Sequence, residues 1–145
     1  MKPFVSIIVP CRNESKYIWP CLASLLENDY PKDRVEIIVV DGMSDDGTWE
    51  KLQCFARIYP NIGLISNADK QKYKGLNLAL DIAKGDRFMV CDAHASYPGD
   101  YISKLAEHDA DNVGAVQAEM PVNKGFIANA VVLARTWAFG LLRGN

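Results

Sequence analysis

Two acidic clusters and one basic cluster hold the residues with chemistry to offer. Asp92-Ala93-His94 directly follows the apolar run Phe88-Met89-Val90-Cys91. Alternate side chains of an extended segment point the same way, so Asp92 and His94 can address one ligand. A carboxylate beside an imidazole suits a divalent cation, Mn2+ or Mg2+, which would bridge diphosphate oxygens and neutralise charge on a departing nucleoside diphosphate. A three-residue pattern also occurs by chance in solvated loops, so on these residues alone both readings stand.

The second acidic cluster is Asp41-Gly42-Met43-Ser44-Asp45-Asp46-Gly47-Thr48, after the run Val35 to Val40. Ser44, Asp45 and Asp46 are the residue types that fold turns and accept bonds from the orphan amides of a helix start. Asp41 stands at the strand end, where a carboxylate can accept a hydrogen bond from a base imide or a ribose hydroxyl, so ligand contact is expected of it. Lys70, Lys72 and Lys74 form the basic cluster before a third helix. A solvated loop and a phosphate contact are equally open for them.

The elements that must position these residues alternate in type. Apolar, β-rich runs recur at Phe4 to Val9, Val35 to Val40, Ile62 to Ile65, Phe88 to Cys91 and Val113 to Val116, each fit for a buried strand. Between them, Ile18, Cys21, Leu22, Leu25 and Leu26 place one apolar stripe on a helix that cannot continue past Pro31. Asp46-Gly47-Thr48 opens a second helix carrying Trp49, Leu52, Phe55 and Ala56. Leu76, Ala79, Leu80 and Ala83 mark a third, ending at Lys84-Gly85. The expected fold is α/β, a doubly wound and mostly parallel sheet, in which ligands bind beyond the carboxyl ends of the strands.

The chain of 145 residues is 49% hydrophobic, enough for one domain over 1–145 and too short for two ordinary ones. A net charge of -2 gives no basic field to gather nucleic acid or an anionic membrane. Cys11, Cys21, Cys54 and Cys91 are scattered without metal-ligand spacing and read as buried free thiols in a reducing compartment. The apolar run after Met1-Lys2-Pro3 is too short for a secretory signal. No run reaches the roughly 18 apolar residues of a membrane span. The expected place is the cytoplasm, including the inner face of the membrane.

Taken in order, Val9-Pro10-Cys11-Arg12-Asn13-Glu14, Val39-Val40-Asp41-Gly42-Met43-Ser44-Asp45-Asp46-Gly47-Thr48, Gly75-Leu76-Asn77 and Asp92-Ala93-His94-Ala95-Ser96-Tyr97-Pro98 resemble the family-two inverting glycosyltransferases of the GT-A fold. The Asp-Gly-Met-Ser and Asp-Ala-His forms are similar to the succinoglycan-type exopolysaccharide branch. The resemblance implies that Pro10, Arg12 and Glu14 line the nucleoside pocket and that Asp41 meets the base. It also implies that Asp92 lies near ribose and metal, and that His94 takes the metal position. Lys74 and Asn77 fall where members of the family approach the nucleotide. The implied ligand is a nucleotide-diphosphate sugar, UDP-linked, whose sugar passes to a saccharide or lipid-linked acceptor in polysaccharide synthesis.

The resemblance covers the front of the family's catalytic domain and leads to the expectation of a truncated, donor-binding portion. Inverting transfer needs a base to deprotonate the attacking hydroxyl. Asp111 and Glu119 lack the motif context for it, so the catalytic base is expected to be absent. A nucleotide- and metal-binding module without transfer activity is therefore the alternative. A nucleotidyltransferase lacks support, since no Gly-rich phosphate loop with Lys or Arg follows the first strand. Residues Phe126 to Leu142 read as a largely apolar helix, with a homodimer or membrane-interface contact as its expected partner.

Overall fold

A computed structural model of the chain describes residues 2–108, which fall within one compact unit spanning 1–111. The expected strand at 113–116, Asp111, Glu119 and the apolar segment 126–142 with its dimer or membrane contact lie outside the described residues. So does much of the single domain expected over 1–145.

Among the described residues four parallel strands build the sheet: β1 (Val5–Cys11), β2 (Val35–Asp41), β3 (Ile62–Ser66) and β4 (Arg87–Val90), in the order β3-β2-β1-β4. Among the described residues four α-helices accompany them: α1 (Ile18–Leu26), α2 (Thr48–Ile58), α3 (Lys72–Ile82) and α4 (Tyr101–Ala106). The α/β, doubly wound parallel sheet expected from the sequence is the observed architecture. The central strands are near-continuous apolar runs because both faces are covered. Val5, Ile7, Val9 and Cys11 of β1 face one layer, with Leu22 of α1, Phe55 of α2 and Ile102 of α4. Ile8, on the opposite face, packs with Ile38, Val40 and Ala79 of α3.

Three helix expectations need adjustment. α3 begins at Lys72, so Lys72 and Lys74 lie inside the helix, with only Lys70 before it; Gln71 supplies the extended residue at the boundary. Leu80 is exposed, because α3 meets the sheet on a narrow line through Gly75, Leu76, Ala79 and Ala83, and Leu80 falls to one side of it. α4 was not expected: with only Ile102 and Ala106 buried, its pattern is too brief to register as periodic. Cys54 also departs from expectation. It lies on the outer face of α2, away from Leu52 and Phe55, and is exposed, whereas Cys11, Cys21 and Cys91 are buried.

Candidate functional site

The loops released at the carboxyl ends of β1, β2 and β3 each contain a non-glycine residue with left-handed backbone: Asn13 (φ 57°), Met43 (φ 59°) and Lys70 (φ 61°). Asn tolerates this region, but Met and Lys rarely adopt it, and such outliers cluster where a site fixes its loops.

The first two loops are tied to each other. The Asn13 N–H donates to Ser44 Oγ (2.9 Å), the Glu14 N–H to Thr48 Oγ1 (2.9 Å) and the Ser15 N–H to Asp46 Oδ2 (3.0 Å), while the Asp45 N–H donates to Asn13 Oδ1 (3.0 Å). Asp46 Oδ1 also accepts from the Thr48 N–H (3.1 Å) and hydroxyl (2.5 Å), so it serves the helix start as its residue type foretold. The Thr48 hydroxyl, followed by the Ser15 N–H, holds the Asp46 carboxyl well below the usual carboxylate range against a smaller opposing effect of desolvation.

Asp41 is 3% exposed. Its Oδ2 accepts from the Ser44 N–H (3.0 Å), and its Oδ1 accepts from the Ser44 hydroxyl (2.5 Å) and lies 3.8 Å from Cys11 Sγ. Burial, then the neighbouring Asp41 carboxylate, pushes the Cys11 thiol far up, so it remains protonated.

Between the loops lies a cavity of about 220 Å³. Enclosing sites for whole drug-sized ligands run to roughly 300–1,000 Å³, so this volume suits part of a ligand such as a nucleotide sugar. Pro10, Arg12, Glu14, Asp92 and His94 line it, as do Lys70, Lys72, Gly75 and Asn67. Asp41, Lys74 and Asn77 are not part of the lining, although Val40 and Gly42, on either side of Asp41, are. Lys74 pairs with Asp69 (3.1 Å).

The candidate metal residues each have an internal partner. Lys72 Nζ lies 3.2 Å from Asp92 Oδ1, with the side chains 60% and 45% exposed. His94 Nδ1 lies 2.9 Å from Glu14 Oε1. Among the described residues no group of three His, Cys, Asp or Glu side chains is gathered closely enough to hold an ion by itself. The donor set still fits a hard divalent cation: Asp92 and His94 supply one oxygen and one nitrogen at an open cavity, and such ions often complete their shells with phosphate and water.

The turn bearing Asp92 and His94 is anchored from beneath. Tyr97 donates its hydroxyl to the Asp92 carbonyl (3.1 Å), and Cys21 Sγ lies 3.5 Å from the same oxygen. Burial raises the thiol of Cys21 to about 12 and that of Cys91 to about 11, which makes both packing groups rather than nucleophiles at neutral pH. Asn28, 2% exposed, donates to the Pro98 carbonyl (2.7 Å) and accepts from the Ile102 N–H (3.0 Å), holding the following loop to the end of α1.

Sequence reasoning passed over Asn67 and did not foresee the pairing of Lys72 with Asp92. Asn67 is the residue directly after β3, so the strand-end rule that singled out Asp41 and Asp92 also points to it.

A parallel doubly wound sheet with a cavity at its carboxyl edge is here the GT-A glycosyltransferase fold. The chain belongs to Glycosyl transferase family 2, whose profile matches residues 6–137. It is 34% identical over 106 residues to a dolichyl N-acetyl-alpha-D-glucosaminyl phosphate 3-beta-D-2,3-diacetamido-2,3-dideoxy-beta-D-glucuronosyltransferase of Methanococcus voltae, covering 72% of this chain and 33% of that protein. Among solved structures it is similar to the mannosyltransferase PcManGT from Pyrobaculum calidifontis in complex with GDP-Man and Mn2+. That likeness has a TM-score of 0.66 and 35% identity, covering 73% of this chain and 31% of that one. It is also similar to S. aureus TarS 1-349 in complex with UDP-GlcNAc, with a TM-score of 0.64 and 26% identity over 79% of this chain and 37% of that one. The chain thus spans about a third of the length of these proteins. No helix among the described residues is long and apolar enough to cross a membrane.

Proposed function

We propose that these residues form the donor-binding part of an inverting glycosyltransferase that takes a nucleotide-diphosphate sugar, UDP-linked, for transfer to a saccharide or lipid-linked acceptor. The observation that carries this reading is one cavity at the carboxyl edge of the sheet, lined by Arg12, Lys70 and Lys72 together with Asp92 and His94. Three cations offer an anionic diphosphate its counter-charge, which the chain's net charge of -2 does not provide at large. Complexes of family-fold neighbours with UDP-GlcNAc and with GDP-Man and Mn2+ support the ligand class.

Asp92 and His94 would hold Mn2+ or Mg2+, which when bound supplies charge neutralisation at the departing diphosphate. Lys72, freed from Asp92, and Arg12 are then left to meet phosphate oxygens, and Glu14 orients the His94 ring through its 2.9 Å contact. The pairing of Asp41-Gly42-Met43-Ser44 with Asp92-Ala93-His94 favours the succinoglycan-type branch and a role in polysaccharide synthesis, with work at the cytoplasmic face of the membrane.

Isothermal titration with UDP, with and without Mn2+, tests the reading, followed by an assay of UDP-glucose hydrolysis. UDP binding strengthened by Mn2+ is expected, and a folded His94→Ala variant should lose the metal-dependent part. Turnover then separates a transferase from a binding module without chemistry. No heat with any nucleoside diphosphate would remove the proposal.

A further inference from the structure

We propose that Tyr97 is a positioning residue of the cation site: its hydroxyl, on the Asp92 carbonyl, holds the turn that sets the Asp92 carboxylate and the His94 imidazole to receive one divalent ion. This deepens the donor-binding reading above and rests on its assignment of Asp92 and His94 to the metal.

The extended segment expected at Asp92 to His94 is a turn in the structure. The Ala95 N–H donates to the Asp92 carbonyl (3.2 Å), so Asp92 and His94 stand at the first and third positions of that turn. In a strand, alternate residues face one way by covalent geometry alone. In a turn, the relation of the two side chains is set by the dihedral angles of the central residues, here Ala93 and His94. Whatever keeps the turn closed therefore keeps the two candidate ligands in register. Ala93, 2% exposed, seats the turn on the core and leaves His94 on the open side.

The Asp92 carbonyl is the hub of this turn. Besides the Ala95 N–H it accepts from the Tyr97 hydroxyl (3.1 Å), and Cys21 Sγ lies 3.5 Å away. A carbonyl oxygen has two lone pairs, so amide and phenol fill it and the thiol is a weak third donor. Tyr97 is itself fixed from α1. Its N–H donates to Ser24 Oγ (3.0 Å), and the Ser24 hydroxyl donates to the Cys21 carbonyl (2.7 Å). The same helix carries the partner of His94, since the Ile18 N–H donates to the carbonyl of Glu14 (2.8 Å). Both candidate ligands are thus referenced to α1, Asp92 through Tyr97 and His94 through Glu14. Packing does not call for the Tyr97 hydroxyl. The ring lies against the main core and 4.8 Å from the ring of Tyr101, contacts that phenylalanine would also make. A hydroxyl spent on the backbone of a ligand residue is the kind of outer contact that orients a ligand and governs metal affinity.

The test measures two affinities on the 145-residue chain: that for Mn2+ with UDP present, from the electron paramagnetic resonance signal of free Mn2+, and that for UDP without metal, by calorimetry. Tyr97→Phe should weaken Mn2+ binding by about tenfold and leave metal-free UDP binding within about twofold. Tyr101→Phe, which removes the neighbouring hydroxyl, should change neither by more than about twofold. Unaltered Mn2+ affinity in Tyr97→Phe overturns the proposal. Equal losses of Mn2+ and metal-free UDP affinity, or the same loss in Tyr101→Phe, overturn it too and leave Tyr97 a packing residue. Should Tyr97→Phe not fold, Ser24→Ala decides, because it frees the Tyr97 N–H from outside the cavity lining. A selective loss of Mn2+ affinity of about threefold or more supports the proposal, and no loss overturns it. Wild type that binds UDP but no Mn2+ removes the metal assignment and this proposal with it. Failure to bind any nucleoside diphosphate removes the donor reading itself, a result distinct from the others.

Discussion

The loops after β1 and β2 and the elements after β3 and β4 meet the same cavity with opposite hydrogen-bond economies. On the first side Asn13, Glu14 and Ser15 donate across to Ser44, Thr48 and Asp46, and Asp41 with Ser44 and Asp46 with Thr48 are satisfied within the second loop. On the second side exposed ion pairs link Lys72 with Asp92 and Lys74 with Asp69, and Asn67 keeps an orphan acceptor. One side is a finished scaffold, and the other holds groups whose present partners are cheap to exchange. Exposed ion pairs are worth about 0–1 kcal/mol, so a ligand can take them apart at little cost.

Removing Asp41 should give the largest effect. Asp41→Ala leaves the Ser44 N–H and hydroxyl without their buried acceptor, and a loss of about 2–3 kcal/mol in urea unfolding is expected, along with weaker nucleotide binding. A loss under about 0.5 kcal/mol would show that the scaffold side is not cross-braced as described.

Gly75→Ala comes next, at the junction of the two sides. Its methyl would press on Val40 and Asn67 at 3.0 Å, costing about 1–3 kcal/mol, while Ala in place of Gly in a helix returns up to about 1 kcal/mol. A net destabilisation of about 1 kcal/mol is expected in the same melt, together with weaker nucleotide binding because Gly75 and Asn67 both line the cavity. A variant more stable than wild type would mean that the corner yields freely.

Acid should act on the scaffold side through Asp46. Its folded carboxyl titrates below the unfolded value of about 3.9, so its contribution is fully present above that pH and is lost as pH falls toward the folded value. The pH dependence of the melting temperature below about pH 4 should therefore flatten in Asp46→Asn relative to wild type. Unchanged curves would remove Asp46 as a proton-linked brace.

Lys72→Met should have the smallest effect on stability, within about 0.5 kcal/mol. Its use is to sharpen the contrast, since Asp92 loses its internal cation. Mn2+ affinity measured without nucleotide should rise by about two- to fivefold. A fall would mean that Lys72 positions Asp92 rather than competing for it.

What the sequence made legible follows the same division. Strands with continuous apolar runs and helices with a full stripe, such as Ile18 to Leu25, announce themselves, because burial on a large surface leaves a period in the residues. The turn-and-cap duties of Ser44 and Asp46 were also readable, being set by local chemistry. The burial of Asn67 was hidden because Gly75 and Val40, which pack close to it, come from other elements, and an asparagine after a strand otherwise looks like an ordinary loop residue. The solvent-facing positions of Cys54 and Leu80 were missed for a related reason. Each is apolar in type but lies off the line along which its helix touches the sheet. Lys72 depended on the helix start, which Gln71 and the turn at Lys70 fix more than any pattern in the lysines.

The strand order carries a consequence for how the protein is made. β1, β2 and β3 are neighbours in sequence and in space, so they can assemble as soon as Ser66 has left the ribosome. β4 must return to the far side of β1, and the bond from the Phe4 N–H to Asp86 spans 82 positions. Closing so long a loop is slow relative to local pairing. In a nascent chain the side of the cavity built by the loops after β1, β2 and β3 therefore takes shape first, and the acidic turn at Asp92 and His94 arrives last.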